Sequence, residues 1–317
     1  MQSPNINSGD YLSADAVKRL ALELGADTVG IARAGTVPDK DKYLGWLKAG
    51  YAGEMTYLHN HRAERFDPRI LLPKAHSIIV IGANYCPTAD ELARQEMPFH
   101  VAWYAWGEDY HDILRRNLEK LRARLRLMHA GLRGRICVDT APFMDKYWAQ
   151  QAGLGWPGKH TNLVSRQFGS WLLLGSLIID HEVDRYDQPE SDHCGNCSAC
   201  IKACPTGAII APYQLDATRC ISYWTIESKV EKFPDEIKRN LNSRVFGCDI
   251  CLSVCPFNRF RKPHQNAAFK RRSEISLIES GRVAELAETE FNRVFKGSPT
   301  TRPGITGIQR NLRETTL

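Results

Sequence analysis

The sequence predicts an α+β protein: a layered domain of mixed α/β structure, then a ferredoxin-like region, then a short helical stretch. Three observations predict it. Helical and strand signals alternate up to about residue 183. Eight of the ten cysteines then fall between Cys194 and Cys255 in close-spaced runs. After Pro256 the chain turns basic (NRFRKPHQN) and then helical again. The expected divisions are residues 1–183, 184–262 and 263–317.

Each element has its own signal. Ser13 can cap a helix through Ala16, Val17, Leu20, Ala21 and Leu24, which Gly25 stops; TVGIA after it reads as a strand. Further apolar runs follow as strands: SIIVIG at 77–82, RICVD at 135–139 and WLLLGSLII at 171–179. Between them, Leu114, Leu118, Leu121, Leu125 and Met128 recur at helical spacing. Pro142 suits the start of another helix ending at Gly153. The polar stretch DHEVDRYDQPESD leads into the cysteine region and reads as a boundary. Beyond it, Ile275, Leu277, Val283, Leu286 and Phe291 are candidate core positions, and GITGIQRNLRETTL opens like a helix. No internal repeat appears apart from the doubled cysteine pattern.

At 317 residues the chain can bury a full core. Its start, MQSPNINSGDYLS, is polar rather than an apolar run behind basic residues. No apolar stretch approaches the roughly 20 residues of a bilayer span. A cytoplasmic, monomeric protein without membrane contact is the expectation. The net charge of +6 is mild, but its distribution is uneven: from Arg115 to Arg135 eight Lys or Arg stand against the single acid Glu119. On an amphipathic helix that makes either a solvated face or a surface for nucleic-acid phosphates.

In HCGNCSACIKACPTGAI, three cysteines are spaced by two residues, a fourth follows after three more, and Pro205 comes next. That is the bacterial ferredoxin run for iron–sulfur clusters. FGCDICLSVCPFN repeats its last three members as Cys248, Cys251 and Cys255. In a two-cluster ferredoxin the fourth cysteine of each run serves the other cluster. Cys194, Cys197, Cys200 and Cys255 therefore form one set. Cys204, Cys248 and Cys251 form the other, completed by Cys220 from LDATRCISYWTIE. Structural zinc normally uses two separated CxxC pairs, which this pattern is not. Cys220 lies far from Cys248 for a compact ferredoxin, so something is inserted between them. Cys86 and Cys137 sit in apolar surroundings and read as small buried hydrophobes. Two clusters make a relay for single electrons, and the first domain should hold the centre they feed.

The candidate acid lies in CVDTAPFMDKYWAQQAGLGWPGKHTNL. A strand ends before Asp139, whose carboxyl either caps the following helix or projects into a cleft, where burial would raise its pKa toward that of a proton donor. The loop GLGWPGKHTN, with three glycines and Lys159, suits close backbone approach to a bulky or anionic ligand. It matches neither the dinucleotide nor the P-loop fingerprint.

GEMTYL at 53–58, DPRILLP at 67–73, VDTAP, AGLGWPGKHTNL, the cysteine run, LDATRCISYWTIE and FGCDICLSVCPFN, in that order, resemble the epoxyqueuosine reductase family of tRNA-modifying enzymes. The resemblance runs from about residue 10 to the end. It implies Co(I) cobalamin fed by two four-iron four-sulfur clusters, in an architecture related to corrinoid reductive dehalogenases. The implied reaction reduces epoxyqueuosine to queuosine at the wobble position of tRNA, with electrons from an external low-potential donor. Asp139 then corresponds to the proton donor. The resemblance also places cofactor contacts at Tyr57, Lys159, Thr161, Asn162, Ser222 and Asp249. Where the family usually has GKNT this chain has GKHT, putting His160 in place of an amide. Family members often continue into HEAT-like repeats that help grip tRNA, and residues 263–317 correspond to where these begin.

No DxHxxG motif supplies a lower axial histidine: Asp109, Tyr110 and His111 are followed by Leu114 where glycine would stand. His111 therefore reads as a surface or core residue, which agrees with the family's base-off mode. Candidate tRNA contacts are the Arg115 to Arg126 face and Arg259, Arg261 and Lys262. Trp103, Tyr104 and Trp106 are either core or a stacking platform for a base. Two rival readings share features of this sequence. A reductive dehalogenase would have the same cofactors but commonly carries a twin-arginine leader. A plain electron carrier would need no large first domain.

Overall fold

The computed structural model describes residues 11–93 and 97–315, so the polar residues 1–10 lie outside it. Its centre is a four-stranded sheet of β1 (Thr28–Arg33), β2 (Ser77–Asn84), β3 (Gly134–Cys137) and β4 (Leu172–Ile179). The spatial order is β1-β2-β4-β3, and every pairing is antiparallel. Side chains alternate across a strand, so β2, buried along its whole length, feeds two cores.

On one face Ile79, Ile81, Leu177 and Ile179 meet the helices α1 (Ala14–Glu23) and α2 (Tyr110–Met128). Ser13 caps α1, its Oγ accepting from the Ala16 N–H, and Gly25 ends it at φ +100°. The helical spacing of Leu114, Leu118, Leu121 and Leu125 buries all four of them. Met128, at the end of that series, is exposed. On the opposite face Ile78, Val80 and Ile178 pack against Trp148, Ala149 and Ala152, in and just beyond α3 (Asp145–Gln151). Cys137 is buried on this face and Cys86 in the first core, and burial pushes their thiols up to about 12 and about 11 respectively.

The polar stretch after β4 folds back on these layers. Leu12 bridges to Val183, and the Asp187 carboxylate accepts from the Ile31 N–H at 2.7 Å. The cysteine region that follows carries two short helices, α4 (Ala199–Ala203) and α5 (Ile250–Ser253).

A third core joins segments distant in the chain. His100–Val101 pairs in parallel with Arg244–Phe246, and Trp106 and Phe246 pack with Ile275, Val283, Phe291 and Ile308. Leu277 and Leu286 lie at its partly buried margin. The C-terminal helix α6 (Gly304–Glu314) presents the buried Arg310, whose guanidinium donates to the carbonyls of Trp224, Ser228 and Val230. That cation thereby fixes the segment just after Cys220. Among the described residues no helix is long and apolar enough to cross a membrane.

Candidate active site and cysteine centres

Cys194, Cys197, Cys200 and Cys255 line a cavity of about 40 Å³ with Lys159, His160, Pro256 and Phe257. Among the described residues no three His, Cys, Asp or Glu side chains converge closely enough for a single metal ion. Thiols spread around a void suit a polynuclear group better than a mononuclear tetrahedral one. Trp156 walls this region, its ring edge-on to Phe257 at 4.7 Å.

Lys159, an expected cofactor contact, donates through its ammonium to the carbonyls of Gly195 and Cys197, the latter at 2.9 Å. It braces the cysteine loop. His160 beside it is buried, and its Nδ1 accepts from the Asn162 N–H at 3.2 Å. A neutral ring then carries its proton on Nε2, 3.3 Å from Ser170 Oγ. Burial, reinforced by the Lys146 charge, lowers its pKa to about 4 and keeps it neutral.

The second cysteine set also converges. Cys251 lies within electrostatic reach of Cys248, Cys220 and Cys204, and the Ala208 N–H donates to Cys204 Sγ at 3.2 Å. Burial pushes the Cys248 thiol up to about 12 and raises Cys220 and Cys251 as well. Without a bound cation these sulfurs stay protonated at neutral pH. Ser222, an expected cofactor contact, turns its backbone N–H and hydroxyl to Cys220. Asp249, another, is only 4% exposed, and its Oδ2 accepts from the Trp103 N–H at 2.7 Å. Burial raises its pKa to about 6. It anchors the second cysteine run to the aromatic segment.

Asp139 follows β3 on a sharp turn and takes φ +48°, a left-handed conformation rare outside glycine. It caps no helix: α3 begins only at Asp145, with Met144 at the cap position and no side-chain cap. The Asp139 side chain is 65% exposed. Yet both it and Lys146 are surrounded by protein densely enough for desolvation to act on their charges. Accessible to water and enclosed by atoms, they line a cleft.

His111 closes one side of that cleft. Its Nε2 lies 3.3 Å from Asp139 Oδ2, and its Nδ1 lies 2.6 Å from Oδ1 of Asp109, the residue that caps α2. Burial was expected to raise the Asp139 pKa. The hydrogen bond from His111 outweighs burial and holds the carboxyl below its usual range. Burial disfavours the imidazolium in turn, but the two carboxylates more than compensate and lift His111 to about 9.

Asp145 and Lys146 stand on the opposite side. Burial, then the Asp139 charge, push Asp145 up to about 7, and its Oδ1 has no partner. Lys146 Nζ donates to Thr161 O and Asn162 Oδ1, each at 2.9 Å. Thr161 and Asn162 thus act on the cleft by holding this lysine. Lys146 also lies within electrostatic reach of Cys251, so the second cysteine set borders the cleft. Tyr57, 44% exposed, faces it too; burial and Glu227 push its phenol up to about 12, and Asp139 adds to the shift.

Sequence reasoning misses the roles of His111, Asp145 and Lys146. Asp109-Tyr110-His111 is visible as a motif but points, in the sequence, only to the question of cobalt ligation. Asp145 and Lys146 lie six and seven residues beyond Asp139 with no spacing rule to single them out. The glycines of GLGWPGKHTN serve the loop's own hairpin, Trp156–Pro157 against Leu163–Val164: a Cβ on Gly155 would stand 2.1 Å from the Val164 carbonyl oxygen. The aromatic run belongs to the core. Trp106 Nε1 donates to the Val101 carbonyl, and Trp103 lies 4.5 Å from the Trp171 ring. Arg115, Arg116, Lys120 and Arg124 are exposed on α2, as are Arg259, Arg261 and Lys262 in the stretch after the second cysteine run.

Comparison with known proteins agrees with this arrangement. The family described as epoxyqueuosine reductase QueG, DUF1730 matches residues 65–140, which include His111 and Asp139. A 4Fe-4S double cluster binding domain matches residues 193–258, which include the cysteines of both sets. The epoxyqueuosine reductase of Cellulophaga algicola is 39% identical over 300 residues, covering 94% of this chain and 96% of its own. The structure of epoxyqueuosine reductase from Bacillus subtilis with its catalytic aspartate loop swung out of the active site superposes with a TM-score of 0.83 at 30% identity, over 94% of this chain and 79% of that one. A crystal structure of epoxyqueuosine reductase with an epoxyqueuosine-modified tRNA-Tyr stem loop gives 0.82 at 30% identity and the same coverage. With relatives this similar over nearly their whole length, the chain belongs to the epoxyqueuosine reductase family.

Proposed function

We propose that this chain reduces epoxyqueuosine to queuosine at the wobble position of tRNA, with electrons passing through two four-iron four-sulfur clusters to a cobalamin and Asp139 donating a proton. The observation that carries this reading is Asp139 itself: a strained, solvent-reached carboxyl in a cleft bordered by Cys251 of the second cysteine set. Each set of four thiols suits a cubane cluster, Cys194, Cys197, Cys200 and Cys255 for one, Cys204, Cys220, Cys248 and Cys251 for the other. The cleft suits a bulky polar cofactor, because Arg65 Nε and Asp145 Oδ1 are buried polar atoms left unpaired by protein. Cobalamin, when bound, supplies a strongly nucleophilic cobalt able to open an epoxide.

The chain's own residues contribute position and protons. Lys159 fixes the first cysteine loop, Asp249 fixes the second, and Lys146 ties the Thr161–Asn162 hairpin tip to the cleft. Asp139 faces the space where the substrate oxygen would depart. The tRNA stem loop bound by the relative supports RNA as the partner, and the exposed arginines of α2 supply charge for its backbone.

The test is mass spectrometry of nucleosides from epoxyqueuosine-containing tRNA after anaerobic incubation with reconstituted protein and reductant, with cobalamin present or omitted. Loss of one oxygen mass only when cobalamin is present is the expected result. Asp139→Asn should keep both cofactors and lose turnover; an active variant removes Asp139 from the donor role.

A further inference from the structure

We propose that His111 is the proton store that recharges Asp139, so that one carboxyl delivers both protons the reaction consumes. This rests on the reading of Asp139 as donor. The chemistry sets the requirement. Converting an epoxide to an alkene breaks both C–O bonds, takes two electrons from the external reductant and releases the oxygen as water. That oxygen must therefore receive two protons in succession, and a carboxyl held below its usual range carries none of its own at neutral pH.

The structure places a refillable proton beside it. His111 Nε2 lies 3.3 Å from Asp139 Oδ2, while Nδ1 is fixed by Asp109 Oδ1 at 2.6 Å. Asp109 is itself fixed, because the same oxygen accepts from the His111 backbone N–H at 2.9 Å as the cap of α2. The Tyr110 ring stacks on the imidazole at 4.0 Å between centroids and 28° between planes. Ring position and tilt are thus set from two sides. As the opened oxygen takes a proton through Asp139, the Nε2 proton of His111 passes to Asp139 Oδ2. The imidazole is left neutral, with Nδ1–H donating to Asp109. Solvent then returns a proton to His111, and a second passage through Asp139 protonates the oxygen as it leaves as water.

The charges around the pair keep the resting proton on His111. On the helix side His111 faces Asp109 and Tyr110, with Arg115 acting on Asp109. Across the cleft Asp139 faces Lys146 and lies near Asp145, and from further elements Tyr57, Tyr104 and Arg302 feel its charge. The two carboxylates in direct contact hold the imidazolium up to about 9 against burial. The store is full at neutral pH and empties as the pH rises through about 9.

His111→Gln keeps a side chain able to hydrogen-bond both aspartates but unable to hold the proton. In single-turnover assays of the reconstituted enzyme with epoxyqueuosine tRNA, the parent rate should persist to about pH 9 and then fall. The variant should be slower by roughly 10²-fold or more at pH 8, the scale of general acid–base catalysis. Its rate should also decline from the carboxylate range upward. A residue that only positions Asp139 would lower the rate without moving the basic limb. In parallel, ¹⁵N-histidine NMR of the holoenzyme should show one imidazole, absent in His111→Gln, titrating near 9 and dropping toward the ordinary range in Asp139→Asn. An unmoved basic limb in His111→Gln, or an imidazole that titrates normally in the parent, overturns the proposal. An active Asp139→Asn would instead overturn the donor reading, so the two failures are distinguishable.

Discussion

Asp145 carries a carboxylate oxygen with no protein partner, and burial together with Asp139 raises its pKa to about 7. A carboxyl whose folded pKa lies above its unfolded value binds its proton more tightly when folded. Stability is therefore lost as pH rises from about 4, where the unfolded chain ionises, to about 7, where the folded one does. Asp145→Asn removes that ionisation and should stabilise the cofactor-free protein by about 1–3 kcal/mol above pH 7, with the gain shrinking toward acid pH. Denaturant melts of parent and variant at pH 5 and pH 8 check this; an equal gain at both would mean that Asp145 does not titrate as its surroundings require. His111 and Asp139 run the opposite way. The raised pKa of His111 favours folding below about 6.5 and loses that contribution as pH climbs through about 9. The lowered pKa of Asp139 contributes above about 4. The turn holding Asp139 at positive φ is therefore best held between those limits.

Helix α2 shows how one element serves the core, the site and the surface. Its buried leucines dock on β4, Asp109 and His111 at its first turn reach Asp139, and its outer face carries arginines. Arg122 and Arg126 are committed to the carbonyls of Gly134 and Leu132, tying the helix to the turn before β3. Arg115, Arg116 and Arg124 are exposed and able to meet phosphates, Arg116 by exchanging its exposed ion pair with Glu108. Replacing these three by Gln should weaken tRNA binding and flatten its salt dependence, by about 0.7–0.9 in the log–log slope for each phosphate no longer neutralised. Filter binding across a salt series checks it, and an unchanged slope would move the RNA surface elsewhere. The periodicity of this helix is legible because its leucines repeat with the helical turn, and the strands of the sheet because their apolar runs are bounded by polar turns. The pairing of His111 with Asp139 is not, since it joins the start of a helix to a turn far along the chain. The same holds for the bond of the Asp249 carboxylate to the Trp103 amide, which comes from a distant segment. Short-range pattern predicts elements, whereas these roles depend on which ends the topology brings together.

Across the whole molecule the two cysteine sets differ in surroundings, and that difference would give a relay through them a direction. In the first set Cys197 is exposed, so a cluster held there would lie within reach of a donor protein. In the second, Cys251 is enclosed and faces Lys146 at the cleft, while Cys220 is held by a segment that Arg310 of α6 pins from the far end of the chain. Electrons should therefore enter at the set of Cys194, Cys197, Cys200 and Cys255 and leave from the set of Cys204, Cys220, Cys248 and Cys251. Cys220→Ser should remove or alter the inner cluster alone. The outer cluster would still be reduced by an external donor, its signal would persist, and turnover would stop because the electron has nowhere to go. Cys197→Ser should disturb the outer signal and slow reduction by a protein donor, while a small reductant able to enter the cleft still supports turnover. Low-temperature electron paramagnetic resonance of each reduced variant, paired with single-turnover assays under both reductants, separates the two sites. Full turnover in Cys220→Ser would exclude the inner set from the path, and loss of both signals in either variant would mean that the two sets do not hold independent clusters.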